Sequence, residues 1–121
     1  MPNRNYNRGA AFERAVAGAF SDMGYAAFRS AGSHSPADVF ALAPGVAVCV
    51  QCKTDGRLDP DEWNCFLAFC EKAGAVPIMA RRKDGRRGAE YFRLTGPKDG
   101  RGGPQPMEPW RIPLPTVGDA L

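Results

Sequence analysis

The sequence contains no long apolar run and no large excess of charge of either sign. None of its segments approaches the 18 or so consecutive apolar residues that a membrane-spanning helix requires, so no membrane partner is expected. Residues 1–8 are polar, unlike the start of a secretory signal peptide, and we therefore expect a cytoplasmic protein. The net charge of +3 suits an anionic partner but does not by itself indicate nucleic-acid binding.

Cysteine is scarce, and the spacing of the four cysteines argues against a zinc site. Cys49 and Cys52 have the spacing of a zinc-ligand pair. If residues 46–53 form a strand, however, side chains three positions apart point to opposite faces. On a helix, Cys65 and Cys70 would be separated by about 140°. We therefore favour buried, reduced thiols, and a zinc site is the alternative.

The hydrophobic pattern predicts one α/β domain. A chain of 121 residues has the length of a single domain. Apolar residues recur at helical spacing over residues 9–23, and Asp59-Pro60 is typical of the start of a helix, here one that ends near Ala73. The predicted strands cover residues 25–29, 38–42, 46–54, 75–80 and 90–94, the second and third of them as a β-hairpin.

Glycine and proline become frequent beyond Thr95, and the periodic patterns stop there. The sequence therefore predicts a folded domain over residues 1–95 and a Gly/Pro-rich, extended C-terminal tail over residues 96–121. Trp110 and Ile112 are the residues expected to dock this tail, either on the domain or on a partner subunit.

Three polar residues interrupt the apolar strands in a pattern that suits phosphodiester hydrolysis. Asp38 opens the second predicted strand, and Gln51 and Lys53 share one face of the third because they are two positions apart. A carboxylate such as that of Asp38 can bind a hard divalent cation, which activates a water and neutralises phosphate charge. The Gln51 amide and the Cys52 carbonyl offer further oxygen ligands, and the Lys53 ammonium can lie beside the phosphate or the attacking water.

Each candidate also has a structural interpretation. An aspartate at a strand start is often a turn residue, and a lysine on a strand is often solvated. Glu13 lies close to the apolar face of the first helix, where it is either a second acidic ligand or a partner of Arg14 or a lysine in a surface ion pair. The basic run 81–87 either binds phosphate or is a solvated turn.

The order and spacing of these segments resemble the PD-(D/E)xK nucleases. Pro36-Ala37-Asp38 and Gln51-Cys52-Lys53 correspond to the two parts of that motif. Four further segments are similar to those of the archaeal-type Holliday junction resolvases: residues 8–14, 24–25, 29–33 and 74–78. The resemblance spans about residues 7–82. It implies a restriction-endonuclease-like core, with a mixed central β-sheet flanked by helices, and a nuclease domain within residues 1–95.

The resemblance implies a magnesium-dependent endodeoxyribonuclease, with Mn²⁺ as an alternative metal, that resolves four-way DNA junctions by paired nicks. The implied partners are branched DNA and a second subunit, since a C2 homodimer matches the two-fold symmetry of a junction. Phe66 and Phe69 are candidates for dimer contacts, with ordinary core packing as the alternative. A nuclease this short would suit a bacteriophage or an archaeon, and hence the cytoplasm of a host or phage-infected cell.

The implied active site departs from the family at one position. Glutamate is usual where this chain has Gln51, and an amide oxygen is the weaker ligand, so metal affinity should fall. Two alternatives stay open: a PD-(D/E)xK nuclease that cuts linear duplex or ends, and a non-catalytic junction-binding module. The expected catalytic residues are Glu13, Ser33, Asp38, Gln51 and Lys53, and the expected metal ligands are Asp38, Gln51, Glu13 and Cys52. The expected DNA contacts are Arg14 and Arg29 from the resemblance, and Arg8, Arg81, Arg82 and Lys83 from their charge.

Overall fold

The part of the chain that the structure describes forms a six-stranded mixed sheet with one helix on each face. The computed structural model describes residues 4–30, 35–83 and 88–115, and the side chains of that part from residue 9 onward. The strand order is β1-β2-β3-β4-β5-β6, parallel only between β3 and β4. This architecture confirms the predicted fold class. The elements are α1 (Arg4–Asp22), β1 (Ala26–Arg29), β2 (Val39–Ala43), β3 (Val46–Cys52), α2 (Pro60–Ala73), β4 (Val76–Arg82), β5 (Ala89–Leu94) and β6 (Met107–Trp110).

Two apolar clusters lie on the two faces of the sheet. Alternate residues of β3 contribute to each, because successive side chains of a strand point to opposite faces. Val48 and Val50 pack in the cluster that contains the apolar side of α1, whereas Cys49 packs with the buried residues of α2. Central strands covered by helices on both faces are expected to be apolar throughout. Neither helix in the described part of the chain is long and apolar enough to cross a membrane.

Local signals define both ends of α2, as the sequence predicts. The Asp59 carboxylate caps the helix by accepting a hydrogen bond of 2.8 Å from the main-chain N–H of Glu62, and Pro60 occupies the first turn. Gly74 ends the helix in the left-handed conformation, with a φ of 67°. Trp63 and Phe66 are fully buried beneath the helix, so core packing, the alternative interpretation, holds for Phe66.

The cysteines are distributed as strand and helix periodicity predict. Cys49 lies in the cluster beneath α2, and Cys52 packs against the cluster beneath α1, so the two thiols point to opposite faces of β3. Burial raises the pKa of the Cys52 thiol, which keeps it protonated. On α2, Cys70 is buried whereas Cys65 is exposed.

Two features of the fold differ from the sequence prediction. Helix α1 begins at Arg4 rather than near Gly9. The sequence does not indicate its first turn because the residues there are polar and carry no apolar repeat. Strand β6 forms within the segment predicted to be an extended tail, and it pairs with β5 at the edge of the sheet. Proline in a short strand argues against strand structure in a sequence, but an edge strand tolerates Pro109.

The end of β6 and the residues that follow it dock on the domain rather than standing away from it. The Trp110 ring stacks on Phe20 of α1 with centroids 6.1 Å apart, and Ile112 packs against the same cluster. The Tyr25 hydroxyl donates a hydrogen bond of 2.7 Å to the carbonyl of Pro113. The described part of the C-terminal segment therefore contributes to the core on the α1 face.

Candidate active site

Asp38 is fixed at the point where β2 begins and β3 ends. Its main-chain N–H donates to the carbonyl of Val50 at 2.8 Å, the residue that also pairs with Val39, and this bond ties the start of β2 to β3. One carboxylate oxygen, Oδ2, accepts a hydrogen bond of 2.8 Å from the N–H of Cys52. The other carboxylate oxygen, Oδ1, is therefore available to bind a ligand.

Gln51 lies at the same end of the β2–β3 pair as Asp38. Val39 pairs with Val50, and Gln51 follows Val50 on β3, on the same face as Cys49, which packs beneath α2. Among the described residues, Gln51 is the one buried polar side chain. Its Nε2 donates to the carbonyl of Pro36, which leaves Oε1 as the amide atom that can bind a cation.

Lys53 lies two residues beyond Gln51, on the same side. Its Nζ is 3.3 Å from Oε2 of Glu62, in the first turn of α2, and both side chains are partly exposed. Its main-chain N–H donates to the carbonyl of Ala80 at 2.9 Å, which ties the end of β3 to β4. The structure thus brings Asp38, Gln51 and Lys53 together at one end of the sheet.

Glu13 reaches the same end of the sheet from α1, on the other face. Its Oε1 accepts hydrogen bonds from Nε and Nη2 of Arg29, at 3.2 and 3.1 Å. The ion pair is largely shielded from solvent, with side-chain exposures of 21% for Glu13 and 24% for Arg29. The partner of Glu13 is therefore Arg29 at the end of β1, rather than Arg14 or a lysine. Arg14 itself is exposed.

The electrostatic balance at Asp38 favours a bound cation. Burial raises the pKa of the Asp38 carboxyl above its ordinary value of 3.8, and the charges of Glu13 and Glu62 raise it further. The hydrogen bond from Cys52 and the charge of Lys53 lower the pKa but do not cancel these effects. A divalent cation would relieve both the burial of the carboxylate and its repulsion by the neighbouring acids.

The donor atoms at this end of the sheet suit a hard metal ion. They are the carboxylate of Asp38, Oε1 of Gln51 and the carbonyl of Cys52, with the carboxylate of Glu13 close enough to influence Asp38. In a strand, the N–H and C=O of one residue point to the same edge, so the Cys52 carbonyl faces Asp38 as its N–H does.

Oxygen donors with one or two carboxylates fit Mg²⁺, which retains several waters, better than they fit zinc. No group of three or more His, Cys, Asp or Glu side chains suited to a metal occurs in residues 4–30, 35–83 and 88–115. An ion held here would therefore depend on the amide and main-chain oxygens as well as on carboxylates.

Basic side chains border this site where β4 ends. The Arg81 guanidinium lies over the Phe92 ring, 4.5 Å from its centroid, and pairs with Glu90 at 3.6 Å. Arg82 extends to the opposite face, where it lies 5.2 Å from the centroid of the Phe12 ring. Lys83 is exposed. These contacts hold two guanidinium groups near the carboxyl ends of the parallel strands.

Some predicted site residues cannot be placed. Ser33 and residues 84–87 of the basic run lie outside the described residues, and the side chain of Arg8 does as well, although its main chain belongs to α1. Sequence analysis missed Glu62, whose contact with Lys53 joins a helix to a strand. The only local signal is the Asp59-x-x-Glu62 spacing of a helix start, which indicates a cap rather than a site.

Comparisons with known proteins indicate the fold and the family of this chain. No curated protein matches the chain. The solved structures that match include Hjc, a Holliday junction resolvase from the archaeal hyperthermophile Archaeoglobus fulgidus. The likeness has a TM-score of 0.61 and 27% sequence identity, and it covers 70% of this chain and 76% of that one. It supports the restriction-endonuclease-like core. The model of the archaeal Holliday junction resolvase (Hjc) family matches residues 4–98, and the chain therefore belongs to that family of nucleases.

Proposed function

We propose that this protein is a structure-selective endonuclease that resolves four-way DNA junctions by metal-dependent hydrolysis. The observation that carries the proposal is the convergence of Asp38, Gln51 and Lys53 at one end of the sheet, in a chain of the Hjc family. Glu13 is the second acidic residue at this place. Ser33 and Arg8 remain proposed contributors from the resemblance and from charge.

Four oxygen donors would hold the metal, which we propose to be Mg²⁺ with Mn²⁺ as a substitute: Asp38 Oδ1, Gln51 Oε1, the Cys52 carbonyl and a Glu13 oxygen. When bound, the ion supplies an activated water and neutralises charge on the scissile phosphate. The N–H of Cys52 fixes the orientation of the Asp38 carboxylate. The Lys53 ammonium exchanges its contact with Glu62 for a non-bridging phosphate oxygen or the attacking water.

Phosphate contacts would come from the arginines that border the site. Arg81 and Arg82 are held over aromatic rings, so less side-chain freedom is lost when each binds a phosphate. Arg14, Arg29 and Lys83 add charge at the same end of the sheet. Such contacts read backbone geometry rather than base sequence, which agrees with selection for a branched shape.

We further propose that the protein acts as a homodimer through an aromatic patch formed by Phe28, Phe40, Leu42 and Phe69. The Phe28 ring stacks on Phe40 at 5.3 Å, and Phe40 packs edge to face with Phe69 at 6.2 Å. Phe28 is 52% exposed and Leu42 46% exposed, because α2 packs mainly against β4. A patch of this kind, which includes a residue of the edge strand β1, can pack against the same patch of a second subunit across a two-fold axis. Such a dimer would match the two-fold symmetry of a junction.

Gln51 specifically favours one alternative, a module that binds junctions without cutting them, because the amide weakens the metal site. The deciding experiment compares the cleavage of four-way junction, linear duplex and single strand, with Mg²⁺ or EDTA. Paired nicks in the junction alone, lost in Asp38→Ala, support a resolvase. Cleavage of linear DNA indicates a different nuclease activity. Tight junction binding without cleavage in Mg²⁺ or Mn²⁺ contradicts the proposed catalysis.

A further inference from the structure

A segment at the edge of the family match, residues 96–106, lies against the start of α2. The indole Nε1 of Trp63 donates to the carbonyl of Gly96 at 2.8 Å. Asn64 exchanges two hydrogen bonds of 2.9 Å with the main chain of Lys98, one donated by each residue. These contacts place the Lys98 side chain beside the loop that connects β3 to α2.

The side chains of Lys98 and Gln105 reach into that loop. The Lys98 ammonium lies 4.5 Å from the centroid of the Trp63 ring and donates to two oxygens, the carbonyl of Leu58 and Oε1 of Gln105. Gln105 in turn donates from Nε2 to the carbonyl of Gly56 at 2.7 Å. Two main-chain carbonyls of the loop are therefore held by residues more than 35 positions away.

The loop held in this way begins at Lys53 and lies against Arg81. The N–H of Gly56 donates to the carbonyl of Lys53 at 2.9 Å, closing a turn directly after the lysine. Gly56 has a positive φ of 73°, and a Cβ atom there would lie 2.7 Å from Cδ of Arg81. A shift of the Gly56 peptide would therefore move the main chain of Lys53 or displace Arg81.

We infer that Lys98 and Gln105 are positioning residues for the active site, acting through the Lys53–Asp59 loop. Partial burial lowers the pKa of the Lys98 ammonium, and the charge of Arg57 lowers it further. The inference rests on the proposed function for the role of Lys53. Gln105 lies beyond the family match, which ends at residue 98, so membership of the family does not by itself assign it a role.

The test compares Gln105 variants with a matched control, Asn64→Ala. Gln105→Met has a similar length but removes both hydrogen bonds, and Gln105→Glu keeps an acceptor for Lys98 while losing the donor to Gly56. Asn64→Ala removes the two hydrogen bonds to the Lys98 main chain, whereas the bond from Trp63 to Gly96 and the bonds from Lys98 and Gln105 to the Lys53–Asp59 loop remain. Single-turnover cleavage rates at saturating junction are measured beside junction affinity, well below the melting temperature of each variant.

Both Gln105 variants should lower the single-turnover rate by about 10- to 100-fold, as a small misplacement of a catalytic group does, with junction affinity changed less than about threefold. Asn64→Ala should keep the wild-type rate even where it lowers the melting temperature. An equal loss of rate in Asn64→Ala, or a wild-type rate in both Gln105 variants, would overturn the inference.

Amide hydrogen exchange in the free protein separates this inference from the proposed function. The Gly56 N–H should lose protection in Gln105→Met and keep it in Asn64→Ala, whether or not the wild type cleaves DNA. Unchanged protection in Gln105→Met would show that Gln105 does not order the loop. If the wild type cleaves no DNA but Gln105→Met still loses protection at Gly56, the proposed function is wrong. The anchoring of the loop by Gln105 would nevertheless stand.

Discussion

The position of the Asp38 carboxylate, which we propose as a metal ligand, lowers the stability of the folded protein. Its raised pKa means that the folded protein takes up a proton at a higher pH than the unfolded chain does. Stability therefore falls as the pH rises from the ordinary pKa of the group through its raised pKa in the folded protein, and the penalty is fully present above the raised pKa. Asp38→Asn removes the charge and keeps an oxygen for the N–H of Cys52.

We expect Asp38→Asn to raise the melting temperature at pH 7 in EDTA, with a difference that disappears as the pH approaches 3.8, the ordinary pKa of the group. The same variant should lose at least about 100-fold in cleavage rate, because its oxygens carry no charge. Asp38→Ala is the control, since it also loses the hydrogen bond from Cys52 and should be less stable than Asp38→Asn. A pH-independent difference would contradict the desolvation of the carboxylate.

Gln51→Glu tests the departure from the usual family residue. A carboxylate opposite Asp38 is a stronger ligand, so the Mg²⁺ concentration for half-maximal cleavage should fall by about tenfold or more, as ligand changes commonly produce. Without metal, the variant should be less stable, because a carboxylate replaces the donor to Pro36 and adds charge beside Asp38.

A Mg²⁺ titration of the cleavage rate and thermal melting in EDTA measure the two effects of Gln51→Glu. Gln51→Ala, which offers no side-chain oxygen, is the control and should require more Mg²⁺ than the wild type. An inactive Gln51→Glu protein at every Mg²⁺ concentration, with its fold intact, would count against Gln51 as a ligand.

At the scale of elements, the sequence predicts what depends on short-range periodicity. The common side of Gln51 and Lys53 follows from the two-residue repeat of a strand, and the limits of α2 follow from Asp59 and Gly74. The pairs Glu13–Arg29 and Lys53–Glu62 join different elements, so no local pattern indicates them. Strand β6 was missed because its stability comes from β5 and from the core rather than from its own residues.

The packing of β6 yields a test of the C-terminal segment. Trp110 stacks on Phe20 and is half-buried, so Trp110→Ala should lower the free energy of unfolding by about 2 kcal/mol, less than a fully buried tryptophan would. Leu114 is 78% exposed in the same segment, and Leu114→Ala should change stability by less than about 0.5 kcal/mol. Urea denaturation of both variants measures the difference. Equal effects would mean that the stacking contributes nothing.

At the scale of the whole molecule, the catalytic end of the sheet and the aromatic patch are separate. The site lies at the start of β2 and the ends of β3 and β4, whereas Phe28 lies on the edge strand β1 and Leu42 lies near the opposite end of β2. Two copies joined through the patch would therefore leave both sites free for DNA. In a dimer, each copy contributes its own arginine and lysine contacts to the DNA phosphates. The affinity for the junction should therefore fall steeply as the salt concentration rises.

Phe28→Glu separates dimerisation from catalysis. A charge in the centre of an apolar contact is costly, so the variant should sediment as a monomer at concentrations where the wild type is a dimer. At concentrations where both proteins are monomeric, its melting temperature should stay close to that of the wild type, because Phe28 is 52% exposed in the single chain. On a junction, the monomer should nick one strand and leave the second uncut for longer, which converts coupled incision into two independent cuts.

The control for Phe28→Glu is Leu114→Glu, which adds the same charge at an exposed apolar residue outside the patch. It should keep both the dimer and the coupled nicks. A cruciform plasmid reports coupling directly, since two nicks within one binding event give linear DNA whereas separate nicks first accumulate open circles. If the Phe28→Glu protein is still a dimer, the two-fold contact must lie on another surface. A monomeric one that still yields linear DNA directly would show that junction symmetry alone recruits two subunits.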